Sequence, residues 1–447
     1  MVASPVKAAV QDIKRLREIT RVLTKHGFHA LVRRIGLGGE EADRKLLGAE
    51  ALAALDGPML GEDRLEAAVR LRRVLEDLGP TFVKLGQVLS TRPDIIPAEF
   101  IAEFRHLQAR VEPMPLEDVV SQIERALGAT VDDVFETFEA HPLGSASIGQ
   151  VHAATLPGGQ RCVVKVQRPN IGEKIRSDLD ILYSLAKLLE ATIEEVELYS
   201  PTGIVKEFSG ALFKELDFEQ EAKSMREFAR NFADSEGIEA PAVHEELTTD
   251  TILTMEFVDA KPLSEIEGGT PRASMLLDRL LDATVEMVLY DGFYHADPHP
   301  GNIFVRDDDT LVYIDFGMVG RLSVGQQDEV INLIIAVLTG DVDGISRTLL
   351  RMGRPIGRVG LREFKADIVR IRDKYLLANL SEINVTQFIQ EVMDAAQYHR
   401  IQLNTAYAVL VKTAMTIEGI MRELEPELDL PARATPYVRQ LAARRFT

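Results

Sequence analysis

Three polar residues pose the question of chemistry. Asp297 and Asn302 stand five apart in His295-Ala-Asp-Pro-His-Pro-Gly-Asn302, and Asp315 follows thirteen residues later in Tyr313-Ile-Asp-Phe-Gly317. A magnesium ion carried by a nucleotide takes oxygen ligands, which Asn302 and Asp315 would supply. Asp297 would orient an attacking hydroxyl or water and accept its proton. Gly317 permits the backbone turn that aims the aspartate. The chemistry that fits this spacing is phosphoryl transfer from Mg-ATP. Alone, Asp-Phe-Gly reads as any tight turn, and the histidines as satisfied core residues. The spaced Asp and Asn upstream, with strands around them, decide against that reading.

Other residues would complete such a site. Lys165, in Val163-Val-Lys-Val166, would reach the phosphates. A lysine between valines is usually an outward-facing strand residue, but this one lies on the second arm of a hairpin ahead of the other motifs. A carboxylate must hold it. The stretch Phe213 to Ala222, read as one helix, offers Glu215, Asp217, Glu219 and Glu221. Asp217 and Glu221 are four apart and share a face, with Glu215 roughly opposite. Spacing does not choose among the four, and at least one belongs to a solvated acidic face. A loop should also cover the phosphates. Leu143-Gly-Ser-Ala-Ser-Ile-Gly-Gln-Val-His152 offers Gly144, Ser145, Ala146, Ser147 and Gly149, with backbone N–H groups and two hydroxyls. It should be stiffer than a triple-glycine loop. Thr254-Met-Glu-Phe-Val258 reads as a connection whose backbone near Glu256 and Val258 faces adenine, or as a strand that ends in a turn.

The elements that must hold these residues follow from periodicity. Residues 1–36 read as one or two amphipathic helices, with Ile13, Leu16, Ile19 and Leu23 at helical spacing. This stretch carries eight basic residues (Lys7, Lys14, Arg15, Arg17, Arg21, Lys25, Arg33, Arg34) against Asp12 and Glu18. It reads first as a helix packed on its own domain, and second as a contact with an anionic membrane. Residues 41–110 read as mostly helical; Leu65, Ala68, Leu71, Leu75 and Leu78 mark one helix, which Gly79-Pro80 ends. Strands are predicted over 150–155 and 161–167, around Leu156-Pro-Gly-Gly159. Helices are predicted over 173–198 and 202–232, a strand over 251–257, a helix over 272–292, and strands over 303–305 and 311–314. Everything from about 325 to 425 reads as helical.

Composition bounds the class. A length of 447 residues suggests two to four domains, and 46% hydrophobic with 27% charged residues is enough to build cores. A net charge of −19 argues against nucleic acid as a partner. The single cysteine, Cys162, excludes an internal disulfide and a cysteine-built zinc site, and suits a reducing compartment. The first thirty residues lack the apolar core of a secretory signal. The longest largely apolar stretch, Val330 to Leu338, falls far short of the ~20 residues that span a bilayer. The expectation is a soluble, cytoplasmic chain, at most peripheral on the inner face of a membrane.

The motifs together resemble the UbiB (AarF-like) family of atypical kinases. The resemblance rests on Lys84-Leu-Gly-Gln87, on the loop ending Ala146-Ser-Ile-Gly-Gln-Val-His152, on Glu215-Leu-Asp217, and on His295-Ala-Asp-Pro-His-Pro-Gly-Asn302 with its Asp-Phe-Gly. It covers about residues 65–325. It implies that Lys84 and Gln87 sit on a helical extension folded over the active site, with Lys84 near Glu215 or Asp217. Glu215 and Asp217 would hold that extension or manage metal and nucleotide. Glu221 would be the partner of Lys165. It further implies binding of ATP or ADP with Mg2+, slow ATP hydrolysis and restrained protein phosphorylation. The biological role implied is support of ubiquinone or related isoprenoid-lipid biosynthesis, with a lipid or quinone precursor and proteins of that pathway as partners. Gly144 stands where many members carry alanine, and the chain ends at Thr447 without the hydrophobic C-terminal spans of some bacterial members.

The fold expected is α+β and bilobal, protein-kinase-like, with ATP between the lobes. Residues 1–112 would form the helical extension, 113–258 an N-lobe with a helical insertion, and 259–447 a mostly helical C-lobe. Two rivals stand beside an ATP-dependent phosphotransferase: a nucleotide-gated module that binds lipid or protein with little catalysis, and a small-molecule kinase of the aminoglycoside or choline type. The Lys84 motif and the Ser/Ala loop disfavour the last.

Overall fold

The computed structural model describes residues 5–34, 64–90, 96–107, 112–192, 200–355, 359–376 and 385–426, with 428, 433, 436 and 437. The helical reading of residues 41–63 and the chain end at Thr447 lie outside the described residues.

Helices come first along the chain: α1 (Pro5–Lys25), α2 (His29–Arg34), α3 (Arg64–Leu78), α4 (Pro80–Leu89), α5 (Ala98–Phe104), α6 (Leu116–Leu127) and the single turn α7 (Val131–Val134). Gly79, at φ 93°, separates α3 from α4, and Pro80 opens α4 at its first position, where a missing N–H costs nothing. Strands β1 (Thr137–Phe138), β2 (Gly144–Ser145), β3 (Gly149–Thr155) and β4 (Arg161–Gln167) precede α8 (Ile171–Thr192) and α9 (Pro201–Glu215). Then come α10 (Phe218–Asn231), β5 (Ile238–Glu239), β6 (Ile252–Glu256) and β7 (Lys261–Pro262). The remainder holds α11 (Pro271–Val285), a π-helical turn at Glu286–Asp291, β8 (Phe293–His295), β9 (Ile303–Val305), β10 (Leu311–Tyr313), β11 (Val319–Arg321), α12 (Val324–Leu338), α13 (Val342–Met352), β12 (Gly353–Pro355), α14 (Leu361–Leu376), α15 (Val385–Tyr398), β13 (Ile401–Leu403) and α16 (Thr405–Leu424).

The chain divides into two compact units: Met1–Phe218 with Thr249–Leu253, and Glu219–Thr248 with Thr254–Thr447. In the first, the sheet order is β1-β3-β4-β6, with β2 paired to β3. Two apolar clusters flank α4. Phe82 and Val83 pack with Ile19, Val74, Leu75, Leu78, Phe104, Leu107 and Ile181. Leu85 and Val88 pack against Ile175, Leu179, Phe208 and Leu212. Ile19 of α1 is buried whereas Ile13 is exposed, so only part of the expected apolar stripe is used. Arg15 crosses from α1 to the buried Asp178 of α8 (2.7 Å) and donates to the Leu78 carbonyl at the end of α3 (2.6 Å). The basic helix is thus packed on its own unit.

In the second unit, β5-β10-β9-β7 form one sheet and β8 pairs with β11. Helices α12 to α15 enclose a core of Ile345, Leu349, Phe364, Ile368 and Ala396.

Two expectations need correction. The helix read over 202–232 is two helices, broken between Glu215 and Phe218. There the Leu216 carbonyl accepts from Gln167 Nε2 (2.7 Å) and the Phe218 N–H donates to Asp250 (3.0 Å). Both groups are withdrawn from the helical ladder, which cannot continue without them. Asp217 and Glu221 therefore do not share one helix face with a continuous run from Phe213. Nor is 325–425 wholly helical: β12 and β13 pair as an antiparallel ribbon, Gly353 opposite Leu403.

Candidate functional site

The loop from His295 to Asn302 is built from its own hydrogen bonds. The Asp297 carbonyl accepts from the His299 N–H (2.7 Å) and from Asn302 Nδ2 (3.2 Å), and the Asn302 N–H donates to the His299 carbonyl (2.7 Å). His295 is fully buried and joins this loop to the next segment. Its Nδ1 accepts from the Asp297 N–H (3.3 Å) and its Nε2 donates to the Ile314 carbonyl (3.1 Å). That pattern needs the neutral Nε2–H tautomer. Burial pushes the imidazole below its ordinary pKa in the same sense. The Ile314 N–H returns a bond to the Asn302 carbonyl (2.9 Å). Asn302 and Asp315 are thus held at neighbouring ends of one short strand pair.

Asp315 lies at φ 59°, left-handed for a residue with a side chain, and its Oδ1 accepts from the Gly317 N–H (3.4 Å). Aspartate tolerates that region better than most residues, and such backbone gathers at functional turns. Phe316 is buried beside it. Its ring meets His295 and Phe228 edge-on, both at 5.1 Å, and Phe228 also touches Tyr313 and stacks on Phe232. These rings fix the two polar loops to α10, which also carries the buried Glu221.

In the first unit, Lys165 faces Val151 across the β3–β4 ladder, and its Nζ lies 5.2 Å from the Phe218 ring centroid. Lys165 belongs to the first unit and Glu221 to the second. The Ser/Ala loop is a tight hairpin, with Gly144 opposite Val151, Ser145 opposite Gln150, and the Ala146 N–H donating to the Gly149 carbonyl (2.8 Å). Its glycines differ in purpose. A Cβ on Gly149 would stand 2.8 Å from the Val166 carbonyl, whereas one on Gly144 would meet nothing within 4 Å. Alanine therefore fits at Gly144. Arg168 grips the loop: its N–H donates to Ile148 O (2.8 Å), Nε to Ala146 O (2.9 Å) and Nη2 to Ser145 Oγ (2.8 Å). Gln150 and His152, at the end of the motif, are buried and structural. Gln150 accepts from the Met114 N–H and donates to His152, which donates to the Glu139 carbonyl.

Lys84 on α4 forms an ion pair with Glu215 at the end of α9. Gln87, one turn on, donates instead to the Leu107 carbonyl (3.1 Å). Gly86 lets this helix pack, since a Cβ there would stand 2.2 Å from Leu107 Cδ1 and 2.7 Å from Leu75 Cδ1. Asp217 lies at the break between α9 and α10, its N–H donating to the Lys214 carbonyl (3.3 Å). The Glu256 N–H is used by the Ala242 carbonyl (2.8 Å) and its carboxylate by Arg306 (2.8 Å). Its side chain is thus structural, and only its carbonyl and the Val258 backbone remain for an adenine edge. Ser147 alone of the expected site residues lines a hollow of about 730 Å³ bordered by Lys14, Arg15, Arg168 and Lys174.

Two residues escaped the sequence reading. Arg168 had a signal, standing immediately past the strand of Lys165. Lys412 had none nearby. It reaches Asp297 Oδ1 at 2.9 Å from α16.

A lysine-bearing antiparallel hairpin, followed by a His-x-Asp loop and an Asp-Phe-Gly turn at the end of a short strand pair, defines a kinase-like fold. The ABC1 atypical kinase-like domain matches residues 106–349, and the UbiB helical domain matches residues 368–429. A Marinobacter nauticus relative called "Probable protein kinase UbiB" is 34% identical over 392 residues, covering 86% of this chain and 72% of its own. A Synechocystis relative called "Uncharacterized protein sll0095" is 33% identical over 401 residues, covering 87% and 70%. Among solved structures, Rv3197 of Mycobacterium tuberculosis, in complex with erythromycin, matches with a TM-score of 0.56 at 25% identity, covering 86% of this chain and 97% of that one. The chain belongs to the UbiB family of ABC1 atypical kinase-like proteins.

Proposed function

We propose that the protein is an atypical kinase or ATPase that binds Mg-ATP and supports biosynthesis of ubiquinone or a related isoprenoid lipid. The observation that supports this reading is the bonded frame His295–Asp297–Asn302–Ile314–Asp315, from which Asp297 would act as base and Asn302 and Asp315 as oxygen ligands. Among the described residues no three His, Cys, Asp or Glu side chains gather to hold a metal by themselves. That suits magnesium, which takes one or two protein oxygens and completes its shell with phosphate and water. Asn302 and Asp315 would hold it, and it would neutralise charge on the transferring phosphoryl group.

The chain's own residues then have these roles. Asp297 orients the attacking oxygen and takes its proton. Lys165 holds the phosphates, positioned by Glu221. Ser145, Ser147 and the N–H groups of the Gly144–Gly149 loop other than that of Ala146, which the Gly149 carbonyl takes, cover them, with Arg168 fixing the loop. The Glu256 carbonyl and the Val258 N–H, which donates to no described residue, read adenine. The Lys84–Glu215 pair, with Gln87 and Asp217, restrains protein phosphorylation. Residues 1–112 act as the extension, 113–258 as the N-lobe and 259–447 as the C-lobe.

The test is phosphate release from Mg-ATP, with and without anionic liposomes, beside Asp297→Asn. Release should rise with liposomes and fall by a factor on the order of 10²–10⁴ in the variant, with nucleotide binding kept. Equal, negligible release from both proteins would favour a second reading, nucleotide-gated binding of an apolar chain. One observation supports that reading: an apolar cavity of about 290 Å³ lined by Val330, Ile334, Leu349, Phe388, Val392 and Leu410.

A further inference from the structure

The proposed base sits in a loop without a cation of its own. From Phe293 to Val305 the chain has no lysine and no arginine. Its two histidines are engaged elsewhere: His295 by Ile314 and the Asp297 N–H, and His299 Nδ1 by the Gly301 N–H (3.1 Å). Yet a carboxylate base must work beside a phosphoryl group that is itself strongly anionic, and the repulsion between the two has to be offset.

The offsetting charge arrives from far along the chain. Lys412 Nζ lies 2.9 Å from Asp297 Oδ1, across 115 residues of sequence. Both side chains are partly exposed, at 26% and 40%. Asp297 Oδ2 bonds to no described residue, so one oxygen is held and the other is left to face an attacking group. Two neighbouring contacts steady the same helix against the same segment. Thr413 Oγ1 donates to the Ala296 carbonyl (3.3 Å), and Tyr294 OH donates to the Ala406 carbonyl (3.2 Å). Asp297 lies within the region matched by the kinase-like domain and Lys412 within that matched by the helical domain.

We infer that Lys412 is the positioning residue of Asp297: it clamps one carboxylate oxygen, aims the other, and supplies the positive charge that lets base and phosphoryl group approach. The helical segment thereby completes the site instead of merely adjoining it. This rests on the reading of Asp297 as the base.

The experiment measures single-turnover phosphate release and Mg-ATP affinity for Lys412→Met, Lys412→Arg, Asp297→Asn and the double variant Asp297→Asn/Lys412→Met. Lys412→Met should lower the rate by about tenfold or more, the size expected when a proton-transfer partner is misplaced, with nucleotide affinity changed less than about twofold. Lys412→Arg should recover most of the rate. In the Asp297→Asn background, removal of Lys412 should add almost nothing, because there is no base left to position. A full additional loss in the double variant, an unchanged rate in Lys412→Met, or a faster one would each overturn the inference. If instead Asp297→Asn retains the full rate, it is the assignment of the base that fails. The pair can be read without turnover by the NMR signal of methylated Lys412, which should shift on Asp297→Asn; no shift counts against the clamp. Should Lys412→Met fold poorly, Lys412→Gln takes its place in the same comparison.

Discussion

At the scale of single residues, the buried His295 does the most structural work for the candidate site. Its neutral ring bridges the base loop to the strand before Asp315, and protonation would put a proton on the nitrogen that accepts from Asp297 N–H. Its pKa is lowered by burial from an ordinary 6.5. Below that value the unfolded chain binds a proton that the folded chain refuses, so stability falls with pH until the folded value is passed. The buried His152 is shifted the same way and contributes with the same sign. Urea midpoints should therefore drop as pH is lowered below about 6.5. His295→Gln should flatten the part of that slope that belongs to the second unit. His295→Ala should cost about 3 kcal/mol, as a large buried side chain with two hydrogen bonds is lost. A midpoint independent of pH between 7.5 and 5.5 would contradict this account.

At the scale of elements, α4 shows how packing places a charge. Two apolar clusters hold it from both sides, and Gly86 lets it approach Leu75 and Leu107. Gly86→Ala should destabilise the chain by about 1–3 kcal/mol through overpacking, seen as a lower urea midpoint. Because Lys84 rides on the same helix, the Lys84–Glu215 pair should loosen with it. A variant as stable as the parent would show that the leucine tips simply rotate away. The break between α9 and α10 belongs to this scale as well. Residues 202–232 carry an adequate helical pattern, and nothing local in Glu215-Leu-Asp217 forces a stop. The stop comes from Gln167 and Asp250, far along the chain, which take the backbone groups. A periodicity reading weighs only near neighbours and had to miss it. The hairpin of β3 and β4, by contrast, was legible to within one residue, because alternation and a Pro-Gly-Gly turn are local properties.

At the scale of the whole molecule, charge and apolar surface are divided unevenly. The chain carries −19, yet α1 keeps exposed Lys14, Arg17, Arg21 and Lys25, while Leu16, Ile19 and Leu23 are spent on the core of the first unit. Among the described residues no helix is long and apolar enough to cross a membrane. Any adhesion of this helix to a bilayer should thus be electrostatic. Co-sedimentation with anionic vesicles at low salt should be lost near 1 M salt, where the screening length is about 3 Å, and should not occur with neutral vesicles. Binding that survives high salt would mean that the apolar stripe leaves its core.

Residue types and short spacings were enough to assign the family and the kinase-like fold, and to nominate a base and oxygen ligands. Those groups must sit on one loop or one turn to act together, so their geometry is written in five or thirteen residues of chain. Tertiary structure alone decided the rest: that α1 is packed, that Arg168 grips the Ser/Ala loop, that Glu256 is tied to Arg306, and that Asp297 receives its cation from Lys412. Such pairs are made by distant segments brought together when apolar faces are buried, and a contact across 115 residues leaves no period, turn or motif in the chain to announce it.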